Sequence, residues 1–190
     1  MRTISTGRLT LVPVTSANAG ALWQLLQEPD LRDYQDLPDL ERGQFLRAVS
    51  ARPTKFGAGT IGRFEWLLYY GNAGAEPIGW LSLRVAEANP LIAELGYSVV
   101  RQHRDKGVAS EAVAGLIEEG FQRAHLREIR AFCLPENLSS RAVLRHNDFT
   151  EDGTLARGAT VAGKSVDVIA HSLTRKRWTA LTSNPPATRS

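Results

Sequence analysis

The stretch that decides the fold runs from Leu91 to Ala124 and reads LIAELGYSVVRQHRDKGVASEAVAGLIEEGFQRA. Its first part, residues 91–100, alternates in polarity as a half-buried strand does. The residues predicted on the buried face are Ala93, Leu95, Tyr97 and Val99. Its last part has apolar residues at helical spacing, which predicts a long amphipathic helix from about Gly107 to Ala124. The stretch is therefore a strand, a basic loop and a helix.

Helical and extended patterns also flank this stretch. Before it, the sequence predicts a strand at 8–14, two helices, and two strands within 64–85. After it, the sequence predicts a strand at 129–134, a helix at 138–145 and two strands within 154–173. This order implies one mixed sheet with helices on both faces, which is an α/β (α+β) fold.

Length and composition are those of an ordinary globular protein, with 190 residues, 43% apolar and 23% charged. We expect one domain over residues 1–178. The end of the chain, 179–190, carries two prolines and little to bury, which predicts a flexible tail. The sequence has no apolar run long enough to span a bilayer and no secretory-signal core at its start. We therefore expect a cytoplasmic protein without a membrane partner.

Charge is unevenly distributed along the chain, although the net charge is only +3. Between Glu28 and Glu41 there are six acidic residues and one basic residue, whereas arginines gather after residue 100. These runs are either solvated faces or two walls of a cleft, one for a cation and one for an anion. Aromatic and basic residues do not interleave, so a nucleic-acid partner is not expected.

Metal and disulfide chemistry find no support in the sequence. The four histidines show no metal-ligand spacing, so no metal is expected. Cys133 is the single cysteine, which excludes an intramolecular disulfide, and we expect it in the core. The four tryptophans are expected to be core or half-buried residues, with a place for one of them in the wall of a substrate cleft left open.

Two glycine-containing stretches suggest phosphate binding, and only one has the right context. The stretch GAGTIG at 57–62 matches G-x-G-x-x-G, but a dinucleotide site needs a strand before it and a helix opening within it. Here a strand follows instead, which indicates a flexible connection. The stretch RDKGVASEA at 104–112 does lie between a strand and a helix. Gly107 lets the backbone approach a ligand, and the helix start supplies unpaired N–H groups and positive charge. These features predict a polyphosphate pocket, although a basic helix start without a ligand has the same pattern.

Motifs in this region resemble those of the GCN5-related N-acetyltransferase (GNAT) family. RDKGVA at 104–109 resembles the family's acetyl-coenzyme A loop, Arg/Gln-x-x-Gly-x-Gly/Ala, and ELGY at 94–97 looks like the strand that precedes it. NLSSRAVLRHNDF at 137–149 is similar to the family's Asn-x-x-Ser-x-x-Val helix with its closing Gly-Phe. The opening TGRLTL at 6–11 resembles the branch of ribosomal-protein N-terminal acetyltransferases (RimJ and RimL). The resemblance covers about residues 6–175.

The resemblance implies a splayed sheet, with the pantetheine arm of acetyl-CoA in the gap beside the strand that ends at Val100. It implies a cosubstrate site made of backbone at Ser98, Val99 and Val100, of the loop residues Arg104, Asp105, Lys106, Gly107, Val108, Ala109 and Ser110, and of Asn137. Three residues depart from the family pattern. Asp105 and Asp148 stand where glycine is usual, and Leu144 stands where many members have a tyrosine that protonates the leaving thiolate.

Catalytic groups follow from the chemistry of amide formation. An amine attacks a thioester as the free base, so a proton acceptor and a stabiliser of the oxyanion are needed. Glu94 lies on the strand face assigned to the cleft and could accept the proton, or it could pair with an arginine across the sheet. Ser140 could hydrogen-bond the thiolate in place of the missing tyrosine, or cap its helix. The N–H near Val99 is the predicted oxyanion donor.

The function predicted from this resemblance is transfer of acetyl from acetyl-CoA to a primary amine, on a protein N-terminus or a small molecule. A binding module of the same fold that holds acyl-CoA without turnover is the alternative. The sequence does not reveal the acceptor, because the stretch from Glu28 to Gly62 that should line its site is the least patterned. The oligomeric state is equally hidden, and a homodimer stays open.

Overall fold

One eight-stranded sheet forms the centre of the computed structural model, which describes residues 1–31, 41–71, 76–161 and 163–183. The strands are β1 (Ile4–Ser5), β2 (Leu9–Pro13), β3 (Gly62–Tyr70), β4 (Gly79–Val85), β5 (Ile92–Val99), β6 (Glu128–Cys133), β7 (Thr150–Val161) and β8 (Lys164–Thr174). The helices are α1 (Ala19–Leu25), α2 (Arg42–Ser50), α3 (Val108–Glu118), α4 (Leu138–His146) and α5 (Arg175–Ser183). Short 3₁₀ turns at Pro29–Leu31 and Arg101–His103 and a π-helical turn at Glu119–Arg123 complete the described elements.

The sheet opens at its centre, between β5 and β6. Its order is β1-β2-β3-β4-β5-β6-β8-β7, and every neighbouring pair is antiparallel except β5 and β6, which run parallel. Only three residues of each strand pair there, and the last pair joins Glu94 to Arg130. Beyond Glu94 the two strands diverge, which confirms the mixed, splayed sheet implied by the resemblance.

Helices cover both faces of the sheet, as predicted. On one face α3 packs its apolar stripe, including Leu116, against Leu95 and Val99 of β5. On the other face α1 and α2 bury their apolar side chains, including Phe45, around Trp80 of β4. The predicted alternation of β5 is therefore confirmed. Cys133 is buried in the core on the α3 face, also as predicted.

Two elements were not predicted, and the predicted tail needs correction. β1 has only two residues, too few to show a pattern, and α5 has no buried residue to mark a periodicity. The flexible tail was predicted from residue 179, but α5 continues to Ser183. Trp178, in its first turn, packs against Phe121 with ring centroids 5.4 Å apart, which anchors the helix to the core. Residues 184–190, the rest of that tail, lie outside the described residues.

Most of the acidic stretch between Glu28 and Glu41 lies outside the residues that the structure describes. Of the stretch from Glu28 to Glu41, residues 32–40 lie outside the described residues, and so does the predicted wall of the cleft that rests on them. The glycines at 57–62 lead into β3, whose first residue is Gly62, and open no helix, as predicted. Among the described helices, none is both long and apolar enough to cross a bilayer.

Candidate active site

The first turn of α3 is shaped by two backbone positions in the left-handed region. Gly107 caps the helix with φ +72°, and Asp105 adopts φ 59° two residues earlier. Glycine is usual at both positions of the family motif because a side chain strains this conformation. The first helical hydrogen bond joins the Glu111 N–H to the Gly107 carbonyl at 3.0 Å. The N–H groups before it are the unpaired donors of a helix start, and they carry the positive end of the helix dipole.

A contact from the beginning of the chain holds this loop in place. Arg8 donates from Nε to Glu111 at 2.7 Å and from Nη1 to the Lys106 carbonyl at 3.1 Å. Thr6 donates its hydroxyl to Glu111 at 2.6 Å. Burial would raise the pKa of Glu111, but the hydrogen bonds from Thr6 and Arg8 outweigh it and lower that pKa, so the carboxylate stays ionised. The opening TGRL motif was noticed in the sequence, but this function of it was not.

The gap beside β5 presents backbone groups to a ligand. Val100 donates its N–H to the Ile78 carbonyl at 2.9 Å, toward β4, so the N–H of Val99 points to the opposite side, into the gap. The prediction for Val100 is therefore corrected: its N–H is used by Ile78, and its carbonyl accepts from the N–H of His103 at 2.9 Å. The Val99 carbonyl accepts from Nε of Arg104 at 2.8 Å, which draws that arginine back over the gap.

One cavity of about 720 Å³ joins the helix start to the gap. Of the residues predicted to bind the cosubstrate, all line this cavity except Val100 and Lys106. Lys106 instead bonds through Nζ to the Gln102 carbonyl at 2.8 Å. Ser140 also lines the cavity, whereas Glu94 is not among the residues that line it. The size is typical of a site for a small ligand.

Tyr97 bridges the gap from β5 to α4, and sequence patterns did not single it out. Its hydroxyl lies 2.8 Å from Oγ of Ser140 and 3.1 Å from the Ser140 carbonyl, and it can donate its one proton to either oxygen. Asn137 caps α4, because its Oδ1 accepts from the N–H of Ser140 at 3.0 Å. Burial raises the pKa of Tyr97, and the hydrogen bond to Ser140 only partly offsets that, so the phenol stays protonated. When the phenol donates to Oγ, the hydroxyl of Ser140 is held in place and its own proton is available to another acceptor.

The residues predicted for catalysis have different surroundings. Ser140 faces the cavity, and its hydroxyl is not the helix cap, since Asn137 fills that role. Glu94 forms an ion pair with Arg84 on the neighbouring strand, and its side chain is 41% exposed. It lies about 13 Å along β5 from Ser98, given a rise of about 3.3 Å per residue. This ion pair is the cross-strand contact with an arginine that the sequence left open as the structural alternative for Glu94. Leu144, at the position of the family's tyrosine, is fully buried.

A splayed sheet, a helix start with a left-handed glycine and a cavity that joins them define an acyl-CoA-type transferase fold. The family model described as "Acetyltransferase (GNAT) domain" matches residues 8–150. The chain therefore belongs to the GNAT family, and its activity is acetyl-CoA-dependent N-acetyl transfer.

Known proteins similar to this chain agree with that assignment. The chain is 30% identical over 179 residues to "Uncharacterized N-acetyltransferase p20" of Bacillus licheniformis, covering 94% of this chain and 99% of the relative. Its fold is similar to that of the ribosomal L7/L12 alpha-N-protein acetyltransferase RimL, with a TM-score of 0.75 at 20% identity, covering 92% and 99% of the two chains. It is also similar to Mycobacterium smegmatis RimJ, with a TM-score of 0.71 at 22% identity, covering 95% and 94%.

Proposed function

We propose that acetyl-CoA binds with its pyrophosphate at the start of α3 and its pantetheine arm in the gap beside β5. The left-handed Gly107 and the N–H groups that follow it fit a phosphate, because a helix start is an anion site. Of the structures of similar fold, RimL is a complex with coenzyme A and RimJ a complex with CoA-disulfide, which supports this assignment. Arg104, Asp105 and residues 107–110 would surround the phosphates. The side-chain nitrogen of Asn137 is left to donate to the arm.

The arrangement of donors supports direct attack of the amine on the thioester. The Val99 N–H points into the gap, where the carbonyl oxygen of a bound acetyl group gains negative charge. The departing thiolate would lie near Ser140, whose hydroxyl stabilises it by a hydrogen bond. Tyr97 positions that hydroxyl and replaces the missing tyrosine of α4 with a phenol from β5. This Tyr97–Ser140 contact is the observation that carries the proposed mechanism.

The amine must lose a proton, and two acceptors are consistent with the sequence. Glu94 faces the side from which an amine would come, but its partner Arg84 and its distance from the gap favour a structural role. We therefore propose that water in the open cleft takes the proton.

The acceptor that we propose is the α-amine at the N-terminus of a cytoplasmic protein. A further relative, "Putative ribosomal N-acetyltransferase YdaF" of Bacillus subtilis (strain 168), is 30% identical over 112 residues, and RimL is named for an N-terminal protein substrate. A small amine is the second class of acceptor.

An amine panel with two readouts tests this function. Titration calorimetry measures acetyl-CoA binding, and thiol release measures turnover with N-terminal peptides, internal lysine peptides and small amines. Turnover with N-terminal peptides is the expected result. Binding without thiol release for every amine would support a non-catalytic acyl-CoA-binding module instead.

A further inference from the structure

The cavity crosses the sheet, which fixes the side from which an acceptor must arrive. One end of the cavity is lined by Gly107 at the start of α3, and the other by Leu31, which packs with α1 and α2 on the opposite face. If the phosphates occupy the α3 end, as in the proposed function on which this inference rests, the acetyl group points toward the α1 and α2 face. The acceptor then approaches over the part of β5 that contains Ser98.

The surface beside Ser98 on that face carries an arginine close to an aromatic ring. Trp80 of β4 pairs with Ser98 in the strand register and is only 3% exposed. The guanidinium of Arg63, on β3, lies over the indole of Trp80 at 5.6 Å from the ring centroid. Neighbouring strands are about 4.8 Å apart. Together with the 5.6 Å between the guanidinium and the ring, this spacing puts the guanidinium roughly 10 Å from Ser98, beside the site of transfer.

Arg63 belongs to a cluster in which, within the part of the chain that the structure describes, positive charge exceeds negative charge. Arg84 lies opposite Arg63 in the β3–β4 register and pairs with Glu94, while Arg52 at the end of α2 pairs with Glu65. Arg63 also bonds to Glu65, at 2.8 Å. Among the described residues, three guanidinium groups thus share two carboxylates. One of these carboxylates, on Glu65, is 4% exposed and already contacts two arginines. We call Arg52, Arg63 and Arg84 the arginine cluster.

The surroundings of this cluster disfavour its positive charges. Burial, and then the neighbouring Arg84, lower the pKa of Arg63, although Glu94 raises it. Burial, and then Arg63, lower the pKa of Arg52 to about 10. Both groups remain protonated at neutral pH, so the cluster keeps a surplus cation. An anion placed over Arg63 and Arg84 would relieve this repulsion.

We infer that the acceptor carries a carboxylate about 10 Å from its reactive amine and that the arginine cluster binds this carboxylate. In an extended peptide each residue spans about 3.3–3.6 Å, so the group is an acidic side chain at the second or third position. The bidentate geometry of arginine suits a carboxylate on such a flexible segment. The cluster thus selects among N-termini, whereas the gap performs the transfer.

Matched peptides test this inference through KM. The probes are amidated peptides that begin Ser-Glu-Ala, Ser-Gln-Ala, Ser-Ala-Glu and Ser-Ala-Gln and share one neutral tail. A second arm uses 6-aminohexanoate and its amide, which separates a peptide acceptor from a small acidic amine. We expect the wild-type enzyme to show a KM at least tenfold lower for the acidic member of a pair, with similar kcat. This advantage should shrink as salt screens the charges.

Variants of the cluster identify the groups responsible. Arg63→Gln should remove the tenfold advantage without changing acetyl-CoA affinity, and Arg63→Lys should retain part of it. Glu65 keeps its contact with Arg52 in both variants, so the fold should survive. Arg145→Gln, on the exposed last turn of α4, is the control and should behave as wild type.

The outcomes separate this inference from the proposed function. Equal KM values for acidic and neutral partners, with turnover intact, would overturn the inference and leave the proposed function standing. An advantage that persists in both Arg63→Gln and Arg84→Gln would also overturn it, since another group would then bind the acid. Absence of turnover with every amine would overturn the proposed function, and the inference with it.

Discussion

The two ends of the cavity are built in different ways. At the α3 end, the contacts offered to a ligand come from backbone groups on one continuous segment, shaped by left-handed turns at Asp105 and Gly107. On the α1 and α2 face, beyond the end of the cavity that Leu31 lines, the proposed contacts come from side chains of the arginine cluster on three separate elements, with Arg63 on β3 as the central member. A site that binds its ligand through backbone groups keeps its specificity when surrounding side chains change. A site made of side chains changes its specificity with each substitution. The difference indicates that the first end serves a fixed cosubstrate and the second a variable acceptor.

Removing the hydroxyl of Ser140 is the largest effect that we expect. Ser140→Ala should lower kcat by about 10²-fold or more, as the loss of one preorganised donor does elsewhere, with little change in the Kd for acetyl-CoA. Steady-state thiol release and calorimetry measure the two quantities. Ser139→Ala, on the same helical turn, is the matched control and should keep its kcat. A Ser140→Ala enzyme with wild-type kcat would remove Ser140 from the mechanism.

A side chain at Gly107 should damage the other end of the cavity. Gly107→Val should weaken acetyl-CoA binding at least tenfold, about 1.4 kcal/mol, because it strains the φ of +72° and covers the N–H groups of the helix start. Gly59→Val is the control, since Gly59 has the same φ of +72° and lies outside the cavity. Calorimetry measures the acetyl-CoA affinity of both variants. The comparison separates the effect of backbone strain, which both share, from the loss of phosphate contacts, which only Gly107→Val should show. Equal affinities in the two folded variants would contradict the assignment of the phosphates to this loop.

Tyr97 acts through Ser140, so its removal should have a smaller effect. Tyr97→Phe should lower kcat by about tenfold and leave acetyl-CoA affinity unchanged, because the Ser140 hydroxyl loses one contact worth about 1 kcal/mol. The raised pKa of Tyr97 keeps the phenol protonated, so Tyr97 should add no alkaline fall in rate below about pH 9. The variant should therefore show a kcat with the same pH dependence as the wild type but a lower value at every pH. An alkaline limb that disappears in Tyr97→Phe would show instead that Tyr97 itself titrates during turnover.

Glu94 should have the smallest effect of the four. Its partly exposed ion pair with Arg84 predicts that Glu94→Gln changes kcat/KM by less than about fivefold. The pH dependence of kcat/KM is the discriminating measurement. A loss of about 10²–10⁴-fold, together with loss of the acidic limb, would make Glu94 the proton acceptor after all.

The sequence allowed the backbone architecture of the α3 end to be predicted, with a strand, a loop and a helix that begins after Gly107. Gly107 and its basic neighbours are contiguous, and their requirement for backbone geometry restricts the residue types that fit. Contacts distant in sequence were missed, such as Thr6 and Arg8 with Glu111, although the TGRL motif marked their position. The bridge from Tyr97 to Ser140 was missed because Tyr97 shares a strand face with core residues, and alternation alone does not distinguish a hydroxyl that crosses a gap.

The acceptor end was not predictable for a different physical reason. Arg52, Arg63 and Arg84 come together only through the strand register and the position of α2, neither of which leaves a periodic signal. The same holds for Glu94, whose role depends on which arginine the neighbouring strand places opposite it.

Thiol release from acetyl-CoA with an N-terminal peptide, with the acetylated atom located by mass spectrometry, tests the central claim most directly. The account predicts one thiol released per acetylated α-amine in the wild-type enzyme. It predicts that Gly107→Val is slow at low acetyl-CoA and recovers as acetyl-CoA is raised, because the substitution affects binding. A Gly107→Val enzyme as fast as wild type at every acetyl-CoA concentration, or a wild-type enzyme that binds acetyl-CoA and acetylates no amine, would contradict it.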